Sequence, residues 1–345
     1  MSYVYVSNAE DGDIGLYTLR EDGSLQPGAR FKAEKTVAPT SVSPDQRFLV
    51  AAARAKPCTA YAYAIDRASG ALELLGTAPL AESFPYITHD RSGRWLLGAS
   101  YSAHLVSVNP IGADGRVGEP SQVMPSGRNA HAIIVDRSNR YAFVPHLGTD
   151  QVFHFLFDEK SGRLTANTPP LLQLQAGTGP RHLVVSPDNR FVFLLNELTA
   201  TVSTLELKSG ILKEIHSVAA LPAGNKLRPG LPRPQQGRDV SADIWASDIQ
   251  LTPDGRFLYA AERTGSTISA FAVNTDSGRP TYLDSIATEK QPRGFRIDPT
   301  GRFVVVSGEK SETISSYAIE ADGRLRHVGK YPTGRGSNWV EIVAF

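Results

Sequence analysis

Arg181 and Glu197 stand 16 residues apart, in Gly179-Pro180-Arg181-His182 and Leu195-Asn196-Glu197-Leu198. An arginine near a carboxylate has two readings. One is a salt bridge that ties neighbouring strands together. The other is a working pair, in which the guanidinium binds a substrate oxygen and the carboxylate moves a proton. His131, in Asn129-Ala130-His131-Ala132, and Arg263, in Glu262-Arg263-Thr264, add an imidazole and a second cation. A lone histidine is more often a satisfied structural residue, yet beside arginines and a glutamate it is also a candidate acid or base.

These residues need a scaffold that brings them together, and the sequence supplies a repeat. A polar turn ending in Arg, followed by an aromatic residue that opens a strand, recurs with its aromatic at Phe48, Trp95, Tyr141, Phe191, Phe257 and Phe303. Pro-Asp, Asn and Gly in these turns provide the dihedrals of a tight hairpin. A second phrase, an alternating strand and an acidic turn closed by glycine, ends at Gly23, Gly70, Gly115, Gly162, Gly210, Gly278 and Gly323. Both recur at about 46 residues, the length of a four-stranded propeller blade. Seven copies of one half and six of the other leave a strand missing, and the run from Ser337 to Phe345 has the pattern to supply it. The expected fold is all-β: a seven-bladed β-propeller of four antiparallel strands per blade. One carboxyl-terminal strand joins three amino-terminal strands to close the ring, which leaves no free sheet edge. The chain from 1 to 345 is expected to form a single propeller domain, with an insertion at about 221–241.

In a propeller the innermost strand begins, and the second strand ends, on the same face. The first set offers Thr40, Tyr86, His131, Arg181, His182, Asp248, Arg293 and Asn338. The second, about six residues beyond each aromatic, offers Arg54, Tyr101, His146, Glu197, Arg263 and Glu309. Charged residues are seldom enclosed without partners. Arginines, histidines and acids around one mouth suit a small anion in a concave site. The insertion joins an outer strand to the next inner one, so it should lie on that face. A loop of this length is commonly a lid or a solvated segment.

Composition bounds the partners. Lys and Arg number 36 against 35 Asp and Glu, without the basic surplus of a general nucleic-acid binder. No apolar run approaches the ~18 residues of a membrane span. The first residues alternate like a strand and lack the regions of a signal peptide. Cys58 is the only cysteine, which excludes an internal disulfide and a cysteine-based zinc site. A cytoplasmic chain is expected, with neither nucleic acid nor membrane as partner, acting as a monomer or weak homo-oligomer.

The ordered run of His131, Gly179-Pro180-Arg181-His182, Asn196-Glu197-Leu198, Trp245-Ala246-Ser247-Asp248, Glu262-Arg263-Thr264 and Gln291-Pro292-Arg293-Gly294-Phe295 resembles the bacterial 6-phosphogluconolactonase family of seven-bladed propellers, which includes the fungal carboxy-muconate lactonizing enzymes. The resemblance covers essentially the whole chain. It implies a lactone hydrolase of the pentose phosphate pathway that uses no metal or other cofactor, and it maps the family's site residues onto His131, Arg181, Glu197 and Arg263. Arg54, Tyr101, His146, His182, Asp248 and Arg293 are the remaining candidates for substrate binding. Three alternatives stand beside hydrolysis of a small anionic sugar lactone. A muconate-type cycloisomerase would use the same mouth. A Ca²⁺-dependent lactonase would draw on Asn196, Glu197 and Asp248. A non-catalytic propeller would use its face to bind a partner.

Overall fold

The computed structural model describes residues 1–233 and 237–345, so Pro234, Gln235 and Gln236 of the insertion lie outside the described residues. Its strands form seven four-stranded antiparallel sheets, and the described residues include no helix. Each sheet is one blade, with strands in chain order from the inner edge outward. The first blade is the exception: its inner strand, Ser337–Ala344, pairs with Ser2–Asn8 and sets Tyr5 opposite Glu341. The ring therefore closes by joining the two ends of the chain, as the incomplete half-repeats required.

The alternating strands bury both faces because each blade packs between two others. Among the described residues there are seven buried apolar clusters, and each draws on two adjacent blades. One joins Phe193, Leu195 and Val202 of the fifth blade to Ile249, Leu258 and Phe271 of the sixth. Outer strands such as Ile211–Ala219 are mostly exposed.

The two repeated phrases prove to be halves of one contact. Each aromatic that opens a second strand packs on the closing glycine of the next blade: Phe48 on Gly115, Trp95 on Gly162, Tyr141 on Gly210, Phe191 on Gly278, Phe257 on Gly323 and Phe303 on Gly23. Tyr3 does the same on Gly70, which supplies the seventh member. At Gly210 the requirement is double. Its φ is +73°, and a Cβ there would sit 2.0 Å from Cδ1 of Tyr141. Only glycine meets both conditions.

Candidate active site

The site stands on a recurring piece of backbone. The residue just past each second strand is tied by its N–H to the segment that leads into the inner strand. Glu197 N bonds Gly179 O at 2.7 Å, Arg263 N bonds Trp245 O at 3.1 Å, Glu309 N bonds Gln291 O at 3.0 Å and Arg54 N bonds Thr36 O at 3.3 Å. Opposite them the inner strands are bulged. Pairing shifts between Pro180 and His182, between Ala246 and Ile249, and between Pro292 and Phe295. Arg181, Ser247 and Arg293 fall in these bulges, which re-aim side chains toward the channel.

The result is a cavity of about 450 Å³ whose walls include Arg54, Tyr101, His131, Arg181, Glu197, Arg263 and Arg293. Arg181, Glu197 and Arg263 are 2%, 2% and 1% exposed, so their charges must be balanced by one another. Glu197 Oε2 accepts hydrogen bonds from Arg181 Nη1 and, at 3.1 Å, from Arg263 Nη2. Oε1 accepts none among the described residues. Burial alone would raise the Glu197 pKa, but the Arg181 and Arg263 charges and the Arg181 hydrogen bond outweigh it, so the carboxyl is held below its ordinary value.

Arg181 is anchored further by Nε to Ser247 O at 2.6 Å, and Nη1 also lies 2.6 Å from His131 Nε2. A guanidinium has no lone pair to offer, so His131 Nε2 accepts and its own proton sits on Nδ1. Burial, then the Arg181 charge, drives the His131 pKa well below 6.5, so the ring is neutral. Three buried donors of this cavity's lining residues have no hydrogen-bond partner among the described residues: Arg181 Nη2, His131 Nδ1 and Arg293 Nε. Arg263 bonds Trp245 O and Ala246 O at 3.1 Å each. Its guanidinium carbon lies 3.6 Å from the Trp245 ring centre, and that of Arg233, from the insertion, lies 3.8 Å away. Two guanidiniums at that height cannot share a face, so the indole is held between cations.

The cavity also holds cations that no acid neutralises. Arg293 Nη1 pairs with Glu309 at 3.1 Å, but Arg54 makes only a 3.2 Å bond to Ser83 Oγ and has no ion pair among the described residues. Burial, then the Arg293 charge, lowers its pKa to about 10, which leaves it charged at neutral pH. The arrangement combines a fixed carboxylate, spare guanidinium donors and free positive charge, as required for attack on the carbonyl of an anionic ester.

The comparisons with known proteins agree. Residues 3–342 match the family model described as lactonase, 7-bladed beta-propeller. The chain belongs to the seven-bladed β-propeller lactonases. It is 36% identical to a 6-phosphogluconolactonase of Erwinia tasmaniensis, covering 98% of each chain, and 36% identical to one of Pectobacterium carotovorum, covering 99% and 98%. Among solved structures, the periplasmic gluconolactonase PpgL of Pseudomonas aeruginosa matches with a TM-score of 0.87 at 27% identity, over 100% of this chain and 99% of that one.

Not every expected mouth residue reaches the mouth cavity. His146 is fully buried between blades, with Nε2 2.6 Å from Ser126 Oγ and its ring 4.1 Å from that of Phe153. The reason is a one-residue slip. Leu147, not His146, makes the recurring bond, to Asn129 O at 3.1 Å, and neighbours on a strand point to opposite faces. Tyr86, His182 and Asp248 line a separate, deeper cavity. The residue ten positions before the strand-opening aromatic faces the mouth, as His131, Arg181 and Arg293 do, whereas Tyr86, His182 and Asp248 stand nine before. His182 Nδ1 bonds Asp248 Oδ1 at 2.9 Å. Thr40 and Asn338 are buried and line neither cavity.

The Ca²⁺ set expected from Asn196, Glu197 and Asp248 does not converge: Asn196 Nδ2 bonds Thr201 and Ser203, Glu197 holds two arginines and Asp248 holds His182. The described residues of the insertion do reach the mouth cavity. Arg233 and Val240 line the cavity, and Tyr101 Oη donates to Arg233 O at 2.8 Å. Arg228 and Arg238 instead hold Asp243, at 2.7 and 3.0 Å. Sequence reasoning assigned no role to Trp245. Its place just before an inner strand, followed by Ala246-Ser247-Asp248, was the available signal.

Proposed function

We propose that this chain hydrolyses 6-phosphogluconolactone to 6-phosphogluconate, in the pentose phosphate pathway. The observation that carries the reading is Glu197, ionised and held through one oxygen by two buried arginines, with its other oxygen on a cationic cavity. The names of the Erwinia and Pectobacterium relatives support the substrate.

In this mechanism Glu197 Oε1 takes a proton from water as the water oxygen attacks the lactone carbonyl. The carbonyl oxygen becomes an oxyanion, which Arg181 Nη2 and the free Nη1 of Arg263 stabilise. The intermediate collapses, the bond to the ring oxygen breaks, and that oxygen takes the proton back from Glu197. The hydroxy acid leaves with the carboxylate regenerated. His131 does not serve as the base, because its Nε2 lone pair is committed to Arg181; it positions that guanidinium. Arg54, with Arg233 beside Trp245, holds the phosphate.

The cytoplasm is the compartment proposed, supported by a phosphorylated substrate and a single, buried, unpaired Cys58. The test is turnover of 6-phosphogluconolactone against unphosphorylated gluconolactone, corrected for spontaneous hydrolysis. A strong preference for the phosphorylated lactone is expected. Equal turnover of both would remove the phosphate from the reading, and turnover of neither would sink it.

A further inference from the structure

The deeper cavity, of about 280 Å³, is separated from the mouth by a layer of rings. His131 and His182 lie 5.2 Å apart, His182 and Tyr86 5.1 Å, and Tyr86 and Trp339 5.6 Å, centre to centre. Its outer wall comes from the turns between inner and second strands. In four of these the first corner is proline: Pro44, Pro187, Pro253 and Pro299. Proline favours that corner. In the adjacent third and fourth blades it is Arg91 and Arg137, and both line the cavity.

The backbone explains the loss of proline but not the gain of arginine. Arg91 N–H donates to Asn139 Oδ1 at 2.9 Å and Arg137 N–H to Asn189 Oδ1 at 2.8 Å, bonds that any residue except proline could make. The guanidiniums themselves make only long bonds to carbonyls: Arg91 to Asp136 O and Val135 O at 3.4 Å, and Arg137 to Ser186 O at 3.4 Å and Val185 O at 3.2 Å. Neither has an ion pair among the described residues. The Arg91 guanidinium reaches the carbonyls of Asp136 and Val135, beside Arg137, and the two arginines share one cavity wall; burial, then the Arg137 charge, lowers the Arg91 pKa.

The acids of this cavity are already occupied. Asp90 accepts from Ser92, Arg94, Trp95 and Asn139, and Asp248 from His182, Ile249 and Phe295. Arg296, the third lining cation, is held by Glu341. A further donor is left without a partner. Ser41 Oγ accepts from His89 N–H at 3.1 Å and lies 2.9 Å from His89 Nδ1, to which its hydroxyl can donate. In that tautomer the His89 proton sits on Nε2, which is buried, belongs to a residue of the cavity wall and has no partner among the described residues.

We propose that this second cavity binds a small anion bearing a phosphate or carboxylate group, clasped by Arg91 and Arg137 with His89 Nε2 as a third donor. It is distinct from the mouth and does not depend on the reading of the mouth's chemistry. The test is isothermal titration of the full chain with inorganic phosphate, and in parallel with gluconate. An Arg91→Gln/Arg137→Gln double variant should lose one binding event that an Arg54→Gln variant keeps, while lactone turnover stays within about twofold of the parent. The probe whose event is lost, phosphate or gluconate, names the group recognised. Isotherms of the double variant matching the parent's for both probes would overturn the proposal. Should the double variant misfold, crystals of the unaltered chain soaked in tungstate decide the matter. An anomalous peak within hydrogen-bond distance of Arg91 and Arg137 is expected, and a peak only at the mouth, or none, would overturn it.

Discussion

Arg181 Nη1 lies 2.6 Å from His131 Nε2 while it also donates to Glu197, so one guanidinium both fills the imidazole's lone pair and leaves a carboxylate oxygen free. In the proposed mechanism two candidate bases thereby become one. Glu197→Gln should lower kcat by about 10²- to 10⁴-fold, the usual contribution of a general base. It should also cost stability, because a buried cluster that loses its anion is destabilised by about 3–5 kcal/mol. His131→Asn keeps an acceptor for Arg181 and should cost less than about tenfold in kcat. Steady-state kinetics with chemical denaturation of both variants checks this. The reverse order of losses would make His131 the base.

Acid should destabilise this fold through its buried histidines. Burial holds His89 and His182 at about 4 and His146 at about 3, below the ordinary 6.5. Between pH 6.5 and those values the unfolded chain carries protons that the folded chain excludes, so stability falls as pH falls. Three such groups give a slope of about 4 kcal/mol per pH unit once their unfolded forms are fully charged, at roughly 1.4 kcal/mol each. Unfolding free energy measured from pH 7 to pH 4.5 should show the decline beginning near pH 6. A flat profile down to pH 5 would mean that these rings take up protons while folded.

The propeller was legible because its signals are local. An aromatic after a tight turn and a glycine after an acidic one recur at a fixed spacing, and each is demanded by its own backbone geometry. That the two signals touch one another across blades was not legible, since the contact joins residues such as Tyr141 and Gly210 that lie far apart in the chain. The mouth followed from counting: six residues past the aromatic reaches Arg54, Tyr101, Glu197 and Arg263 on the cavity wall and Glu309 as the partner of Arg293, and a count of five reached His146 and failed. His182 and Asp248 were misplaced in depth for another reason. Bulges at the inner-strand starts shift pairing, and composition alone does not announce a bulge.

The contact between blades can be weighed with two glycines. Gly210→Ala meets both a φ of +73° and Tyr141 Cδ1 at 2.0 Å from the new Cβ. Gly177→Ala has a similar φ of +82° with nothing within 4 Å of the new Cβ. The second should cost only the left-handed strain, about 1–2 kcal/mol. The first adds about 1–3 kcal/mol of overpacking. Thermal or urea unfolding of the pair reads the difference. Equal losses would mean that the aromatic moves aside at no cost and that the repeat is a turn signal alone.

Arg54 is the residue whose role depends most on the phosphate. It lines the mouth with one weak bond to Ser83 and no ion pair among the described residues, so its charge is free for a ligand. A charge-assisted hydrogen bond is worth about 1.5–3 kcal/mol, equivalent to roughly ten- to a hundredfold in binding. Arg54→Gln should therefore raise KM for 6-phosphogluconolactone by about that factor with kcat little changed. An unphosphorylated gluconolactone gives this side chain nothing to hold, so its KM should not move. Parallel kinetics on the two lactones tests this. Equal increases would place Arg54 against the sugar ring or the ester, and a fall in kcat without a change in KM would place it at the reacting carbonyl.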